Sequence, residues 1–515
     1  MRTTKTLTAL ILVLVVILAG LTVVALKLND QPSGPSLQDT TPSDPTQSPT
    51  QDPTQAPTQA PTQEPTQAPT QEPTQAPTEA PTAPPTVPPT EPPTEPPTTP
   101  PTTPPTEPPT QPPTEAPNGP TVPPQSTASI GSVGDILMHM GVVNSGLQDN
   151  GSYNYDNIFA LVKSYIKRFD YAVANLETTL AGPDYEHYTG DVGYSGFPGF
   201  NSPDEIVDAL KKAGFDMLLT ANNHTYDTRH AGFVRTQQVM LDKGMDYSGT
   251  ILDADDKNYI VKEINGVKVG MICYTYSTSD SDEKVEVNDI PMRDDSNLIN
   301  AFSYSDLSAF YSRLQRQMNE MKNAGAEATV IFIHWGTEYK ISPNSSQKKI
   351  AQKLCDMGFD VIVGNHPHMV QPVELLENSK DPTKKTVCIY SLGNAVSNQR
   401  LGNLSSVDTA HTEDGVLFGV TFAKYSDGTV IVQSVELTPI WVNLYKENGK
   451  RVYEIVPLDK SISDWKGTFN MTTDQYNQAK ASYDRTMEIV GEGLAEVQAW
   501  CLANQQAVAA ALGGN

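Results

Sequence analysis

The chain has 515 residues, with 60 acidic against 35 basic side chains and a formal charge of −25 at neutral pH. That balance argues against nucleic acid or an anionic surface as the partner. Its four cysteines, Cys273, Cys355, Cys388 and Cys501, lie far apart without a Cys-x-x-Cys pair, so a core rather than a disulfide framework must hold the fold.

Arg2 and Lys5 precede an uncharged run from Leu7 to Leu26, long enough to cross a bilayer core as a helix with its N-terminus in the cytoplasm. The run is longer than a signal-peptide core and ends "VVALKLND" without a clean cleavage site. Residues 1–28 are therefore expected to be an uncleaved membrane anchor, with the rest of the chain outside the cell. Residues 29–126 repeat "PTQAPTQEPTQA" and then "PPTEPPTEPPTT", and hold most of the 43 prolines. A stretch with so little to bury is expected to be a disordered, extended Pro/Thr-rich stalk, reaching at most roughly 300 Å at about 3.1 Å per residue.

The remainder alternates apolar runs with amphipathic stretches. "ASIGSVGDI" reads as a strand, "NIFALVKSYIKRF" as a helix and "DYAVANLE" as a strand. In "SPDEIVDALKKAG", Ser202 as N-cap, Pro203, Glu205 and the stop at Gly214 predict a capping box and a terminated helix. "FDMLLTANNH" is a strand running into a loop, "AGFVRTQQVMLDKG" a helix, and "NYIVKEINGVKVGMICYTY" a hairpin turned on Asn265-Gly266. Further on, two helix–strand repeats lead to "ATVIFIHW" and "FDVIVGNH", and antiparallel strands follow with a turn at Asp427-Gly428. This order indicates an α/β domain with a mixed sheet or two sheets over residues 127–445, followed by a helical extension over 446–515.

Chemistry gathers where the strands end. The first ends with Asp135 and His139, the second with Asn175 and Glu177, and the third with Asn222, Asn223 and His224. Later ones end with His334 and Glu338, with His366 and His368, and with Asn394. Five of the eight histidines fall at such ends, while His187, His230 and His411 lie in polar loops and receive no role. If these strands are parallel neighbours, their ends share one rim. Carboxylates, amide oxygens and imidazoles without thiolate suit one or two divalent ions such as manganese, iron or zinc. Two ions about 3.5–4 Å apart can hold an attacking hydroxide and neutralise a phosphoryl group. Such a site needs a bridging carboxylate, for which Glu177 is the candidate, and a histidine to protonate the leaving group, for which His224 is the candidate. Trp335 and Tyr339 flank His334 and would either stack on a substrate or pack in the core.

"VGDILMH", "ANLETTL", "ANNHTYDTRHAG", "IHWGTEY", "GNHPHMVQPVE" and "YSLGN", in this order, resemble the bacterial CapA family. These capsule-synthesis proteins, associated with poly-γ-glutamate, belong to the calcineurin-like metallophosphatase superfamily. The resemblance covers residues 127–440 and implies a four-layer α/β/β/α sandwich with a metal site at the sheet ends. It also implies a membrane-anchored protein working on an anionic capsular polymer or with its membrane synthase complex. By the same resemblance, Asp135 and His368 would bind a first metal and Asn223, His334 and His366 a second. Glu177 would bridge the two, and His224 would be the general acid. The superfamily's Asp-x-His motif is altered, because Asp135 is followed by Ile136 and Leu137; His139 is the nearest replacement. The implied activity is hydrolysis or transfer at a phosphoester or amide, and the alternative is a non-catalytic polymer-binding or assembly protein.

Overall fold

The computed structural model describes residues 121–281, 284–403 and 408–513. The expected anchor and nearly all of the expected stalk lie outside these residues. Among the described residues, no helix is long and apolar enough to cross a membrane.

In chain order, β1 (Ser126–Ile136) leads to α1 (Met140–Ser145), α2 (Lys163–Ile166) and β2 (Tyr171–Leu176). Then come α3 (Glu205–Ala213), β3 (Met217–Leu219), α4 (Arg229–Lys243), β4 (Asp246–Ser248) and the hairpin of β5 (Ile260–Ile264) and β6 (Val267–Ser277). The short strands β7 (Glu286–Val287), β8 (Ile290–Pro291) and β9 (Ala301–Ser303) precede α5 (Leu307–Asn323), β10 (Ala328–His334), α6 (Ser345–Met357) and β11 (Val361–Asn365). The chain closes with β12 (Val370–Glu377), β13 (Lys385–Leu392), β14 (Asn394–Val396), β15 (Asp414–Lys424), β16 (Val430–Glu447) and β17 (Lys450–Pro457), then α7 (Trp465–Thr468) and α8 (Thr473–Gly513).

These strands build two large mixed sheets, with β7 and β8 paired separately. The first runs β17-β16-β15-β1-β2-β3-β4 with β14 added beside β1, and the second runs β12-β13-β11-β10-β6-β5 with β9 beside β6. Strands β1 to β4 are parallel to one another, as are β6, β10, β11 and β13. An apolar cluster with Ile130, Val173, Met217, Met271, Val330, Phe332, Val363 and Ile389 joins the inward faces of both sheets. A second packs Ala172, Ala174 and Leu218 against Ile206, Leu210 and Met240 of α3 and α4. A third packs Ile272, Ile331 and Ile362 against Phe310, Leu314, Ile350 and Leu354 of α5 and α6. Each buried strand therefore shows apolar side chains on both faces, which is why its sequence reads as an unbroken run.

Three expectations are corrected. Ser202 does not cap α3: its hydroxyl bonds Thr178, its N–H donates to Thr179, and the helix starts at Glu205 after Asp204, although Gly214 ends it with φ 112° as expected. "NIFALVKSYIKRF" is not one helix but a 3-10 turn over Asp156–Phe159 and the single turn α2, because Ile158, Phe159 and Ile166 reach the core from irregular backbone. The segment after residue 446 is not purely helical: β17 pairs with β16 from Glu447↔Lys450 to Ile440↔Pro457 before α8 begins. The hairpin turn is as expected, with φ of 49° at Asn265 and 86° at Gly266.

Candidate metal centre

The parallel strands deliver their C-terminal ends to one place. Asp135 of β1 sits opposite Asn175 of β2 in one register and opposite Asn394 of β14 in the other. Both pairings slip next to Asp135, an irregularity that re-aims its side chain. Gly134 permits the close approach of the Gly393 backbone, since a Cβ there would lie 1.8 Å from the Gly393 carbonyl oxygen. In the other sheet, His334 pairs with Asn365, so His366 follows directly beside it. His366 and His368 then hold φ values of 99° and 56°, a region that side-chain-bearing residues rarely adopt and that marks functional loops. The tight Asn-His-Pro-His turn thus bends both imidazoles back toward the other sheet.

Two overlapping groups result. Asp135, Glu177 and His368 form one set of closely spaced ligand atoms, and Glu177, His334 and His366 form the other. All five side chains are buried. Glu177 belongs to both, with Oε1 at 3.4 Å from His334 Nε2 and 4.0 Å from His368 Nε2. That same Oε1 accepts no hydrogen bond although it is fully buried. His366 Nδ1 faces His334 Nε2 at 3.2 Å, and the Asn223 amide oxygen stands 2.8 Å from His334 Nε2. An orphaned carboxylate oxygen ringed by imidazole nitrogens and an amide oxygen is a donor set that fits divalent ions.

The electrostatics agree with that fit. Burial holds the His334 imidazole down to about 3, and burial together with His334 and His368 holds His366 well below its ordinary value. Both are therefore neutral donors at physiological pH. Burial followed by the Asp135 charge drives Glu177 well above the carboxylate range. Burial works to lower His368, yet Glu177 and Asp135 hold it up to about 9. The anionic pocket thus draws a proton where a cation would sit.

The other predicted residues take supporting places. Asn175 donates to Asp135 Oδ1 at 2.8 Å, and Asn222 donates to the Asn175 amide oxygen. Asn394 donates to the His368 carbonyl and to Thr412, which pins the turn from behind. Glu338 lines the cleft above the site but joins neither ligand group. His139 also joins neither: it precedes α1, meets Phe200 edge to face and receives the Asn398 N–H at 3.4 Å. Burial pushes it down to about 4. Trp335 is core, donating to the Tyr390 carbonyl.

His224 stands at the mouth of the site. Its Nδ1 lies 2.8 Å from Asp227 Oδ2 and 3.2 Å from the Asn288 amide nitrogen, and Phe200 packs edge-on against its ring. Burial works to lower its pKa, but the Asp227 charge and hydrogen bond prevail and raise it. Sequence reasoning missed Asp227, though an acid three residues after a strand-end histidine was there to be read. It also missed Tyr276, whose ring lies 4.8 Å from that of His366 and parallel to His334. No sequence signal ties Tyr276 or Asn288 to these histidines.

Residues 129–399 match the family model described as bacterial capsule synthesis protein PGA_cap. The chain is 29% identical over 309 residues to the capsule biosynthesis protein CapA of Bacillus anthracis, covering 59% of this chain and 66%, just under two thirds, of that protein. It is 28% identical over 351 residues to the PGA biosynthesis protein CapA of Bacillus subtilis (strain 168), covering 66% of this chain and 81% of that relative. With the family model spanning more than half of its length, this chain belongs to the PGA_cap family of bacterial capsule synthesis proteins.

Proposed function

We propose that the domain is a dinuclear metal-dependent hydrolase or transferase, layered as a metallophosphatase-like α/β/β/α sandwich and acting on an anionic capsular polymer such as poly-γ-glutamate. The observation that carries this reading is Glu177, fully buried, shared by two ligand groups and left with an unpartnered oxygen. Asp135 and His368 would hold one ion, Asn223, His334 and His366 the other, and Glu177 both. Bound there, the ions supply a nucleophile at neutral pH and neutralise charge on the group being attacked. The chain's own part is orientation and proton delivery. Asn175 fixes the Asp135 carboxylate and Asn394 the His368 backbone, and Asp227 raises the pKa of His224 and holds its imidazole at the cleft for donation to the leaving atom. The N-terminal apolar run and the Pro/Thr stretch extend the proposal to a membrane-anchored protein whose domain works outside the cell, beside the polymer or its synthase complex.

A second reading is a binding or assembly protein on the same scaffold. It is favoured by the first ligand group, where Leu137 is buried in place of a second imidazole and His139 stays apart. Elemental analysis of the full-length protein, purified without chelator, separates them. Two ions per chain are expected, reduced in Glu177→Ala and His366→Ala, with His224→Ala keeping both ions and losing turnover. One ion, with His224→Ala retaining full capsule formation, would establish the second reading.

A further inference from the structure

A cleft of about 320 Å³ opens over Asn223 and His224. Two of its walls are aromatic and stand in solvent: Tyr188 is 74% exposed and Phe197 77%. Large aromatic groups left bare beside a candidate active site are binding surface rather than core. Arg229 lines the same cleft and is the one permanently cationic side chain among the lining residues. Asp227 and Glu338 on the same walls are acidic and repel an anionic substrate, which leaves Arg229 as the fixed positive charge of the lining.

Arg229 has three features in its favour. Its guanidinium forms no ion pair with any described carboxylate, and it lies 5.8 Å over the Tyr188 ring. Stacking of this kind leaves the N–H fork free for a planar oxyanion. Its backbone has a φ of 56°, which glycine or asparagine would adopt more easily, so the position keeps an arginine against its backbone preference. It also opens α4 immediately after the segment that carries Asn223, His224 and Asp227, so its backbone is tied to that of the proton donor.

We infer that Arg229, stacked on Tyr188, is the specificity residue that anchors an oxyanion of the substrate beside the bond acted on. The adjacent chain of the substrate lies against Phe197. This rests on the reading of the site as one that acts on an anionic polymer, and it assigns where one charged group of that polymer is held.

Titration calorimetry on the full-length protein equilibrated with manganese or zinc tests it, using a short γ-linked glutamate oligomer, the uncharged γ-linked isoglutamine oligomer, in which each α-carboxylate is an amide, and tripolyphosphate. Loss of one charge-assisted fork should weaken the glutamate oligomer roughly tenfold in Arg229→Ala, with Arg229→Lys falling between and the isoglutamine oligomer unaffected. Arg229→Gly removes the guanidinium and relieves the backbone, so equal loss of binding at an unchanged or raised Tm rules out misfolding. If only tripolyphosphate weakens, the anchored group is a phosphate rather than a carboxylate. Wild-type affinity of Arg229→Ala for both anions, or no binding of either by the wild type, overturns the assignment. Metal content, measured on the same samples, reports separately on the reading of the site: a metal-free wild type sinks that reading, while the titration still decides the role of Arg229.

Discussion

Asp227 shows how much a single carboxylate is asked to do. Its Oδ2 accepts both from the Phe200 backbone N–H at 2.7 Å and from His224 Nδ1 at 2.8 Å, which fixes the loop under the cleft and the imidazole in one contact. Replacing it with asparagine keeps the shape and removes the charge that raises His224. Asp227→Asn should therefore lower turnover by about 10²-fold or more while leaving the metal content intact, since Asp227 belongs to neither ligand group. A variant with full turnover would show that His224 is not the proton donor. At this scale the sequence named every member of both ligand groups, because each stands at the end of an apolar run where a ligand-type residue is conspicuous. It also set Asn175, Glu338 and Asn394 apart from them, and its one candidate ligand outside the cluster is His139. His139 looks like a ligand by type and position, and only the path of the chain into α1 turns it toward Phe200 and Asn398.

At the scale of elements, legibility followed how local the cause is. The glycine stops at Gly214 and Gly244 and the Asn265-Gly266 turn depend on φ at one or two residues, and all three lie where the pattern placed them. The Ser202 cap failed because a neighbouring strand end competes for the same hydroxyl through Thr178, a contact 24 residues away in sequence. The strand β17 was hidden because its worth comes from pairing with β16, not from its own composition. Close packing between elements was equally invisible, and Gly364 is the sharpest case. A Cβ at this position of β11 would lie 1.9 Å from the Tyr390 carbonyl oxygen and 2.6 Å from Trp335 Nε1, the two atoms that hydrogen-bond each other. Gly364→Ala must push β11 off β13 or break that bond, at a cost of about 2–3 kcal/mol. Urea denaturation should show the loss as a lowered midpoint at unchanged slope. Because His366 follows two residues later, the same variant should also bind less metal. Wild-type stability and metal content together would refute the account of this packing.

The whole molecule sets a charge problem that its centre must solve. A chain of formal charge −25 buries Asp135 and Glu177 close together at the junction of two sheets and is proposed to receive a polyanion there. Without compensating cations, burying the two acids is a desolvation cost that proton uptake at Glu177 and His368 offsets only in part. Ions held by both sheets at once would instead make the centre a tie between them, so binding should appear as folding stability. At a free ion concentration about 100-fold above Kd, one site contributes about 2.7 kcal/mol, and two contribute about twice that. In a domain of this size each kcal/mol moves Tm by about 2 °C or somewhat less. Adding manganese or zinc to chelator-treated protein should therefore raise Tm by several degrees, saturably, with the larger share lost in Glu177→Ala, which takes a ligand from both sites. His224→Ala should keep the full rise, because its imidazole lies outside the ligand groups. A Tm indifferent to added ions in the wild type would mean that the buried carboxylates are balanced by protons alone, and the dinuclear reading would fall with it.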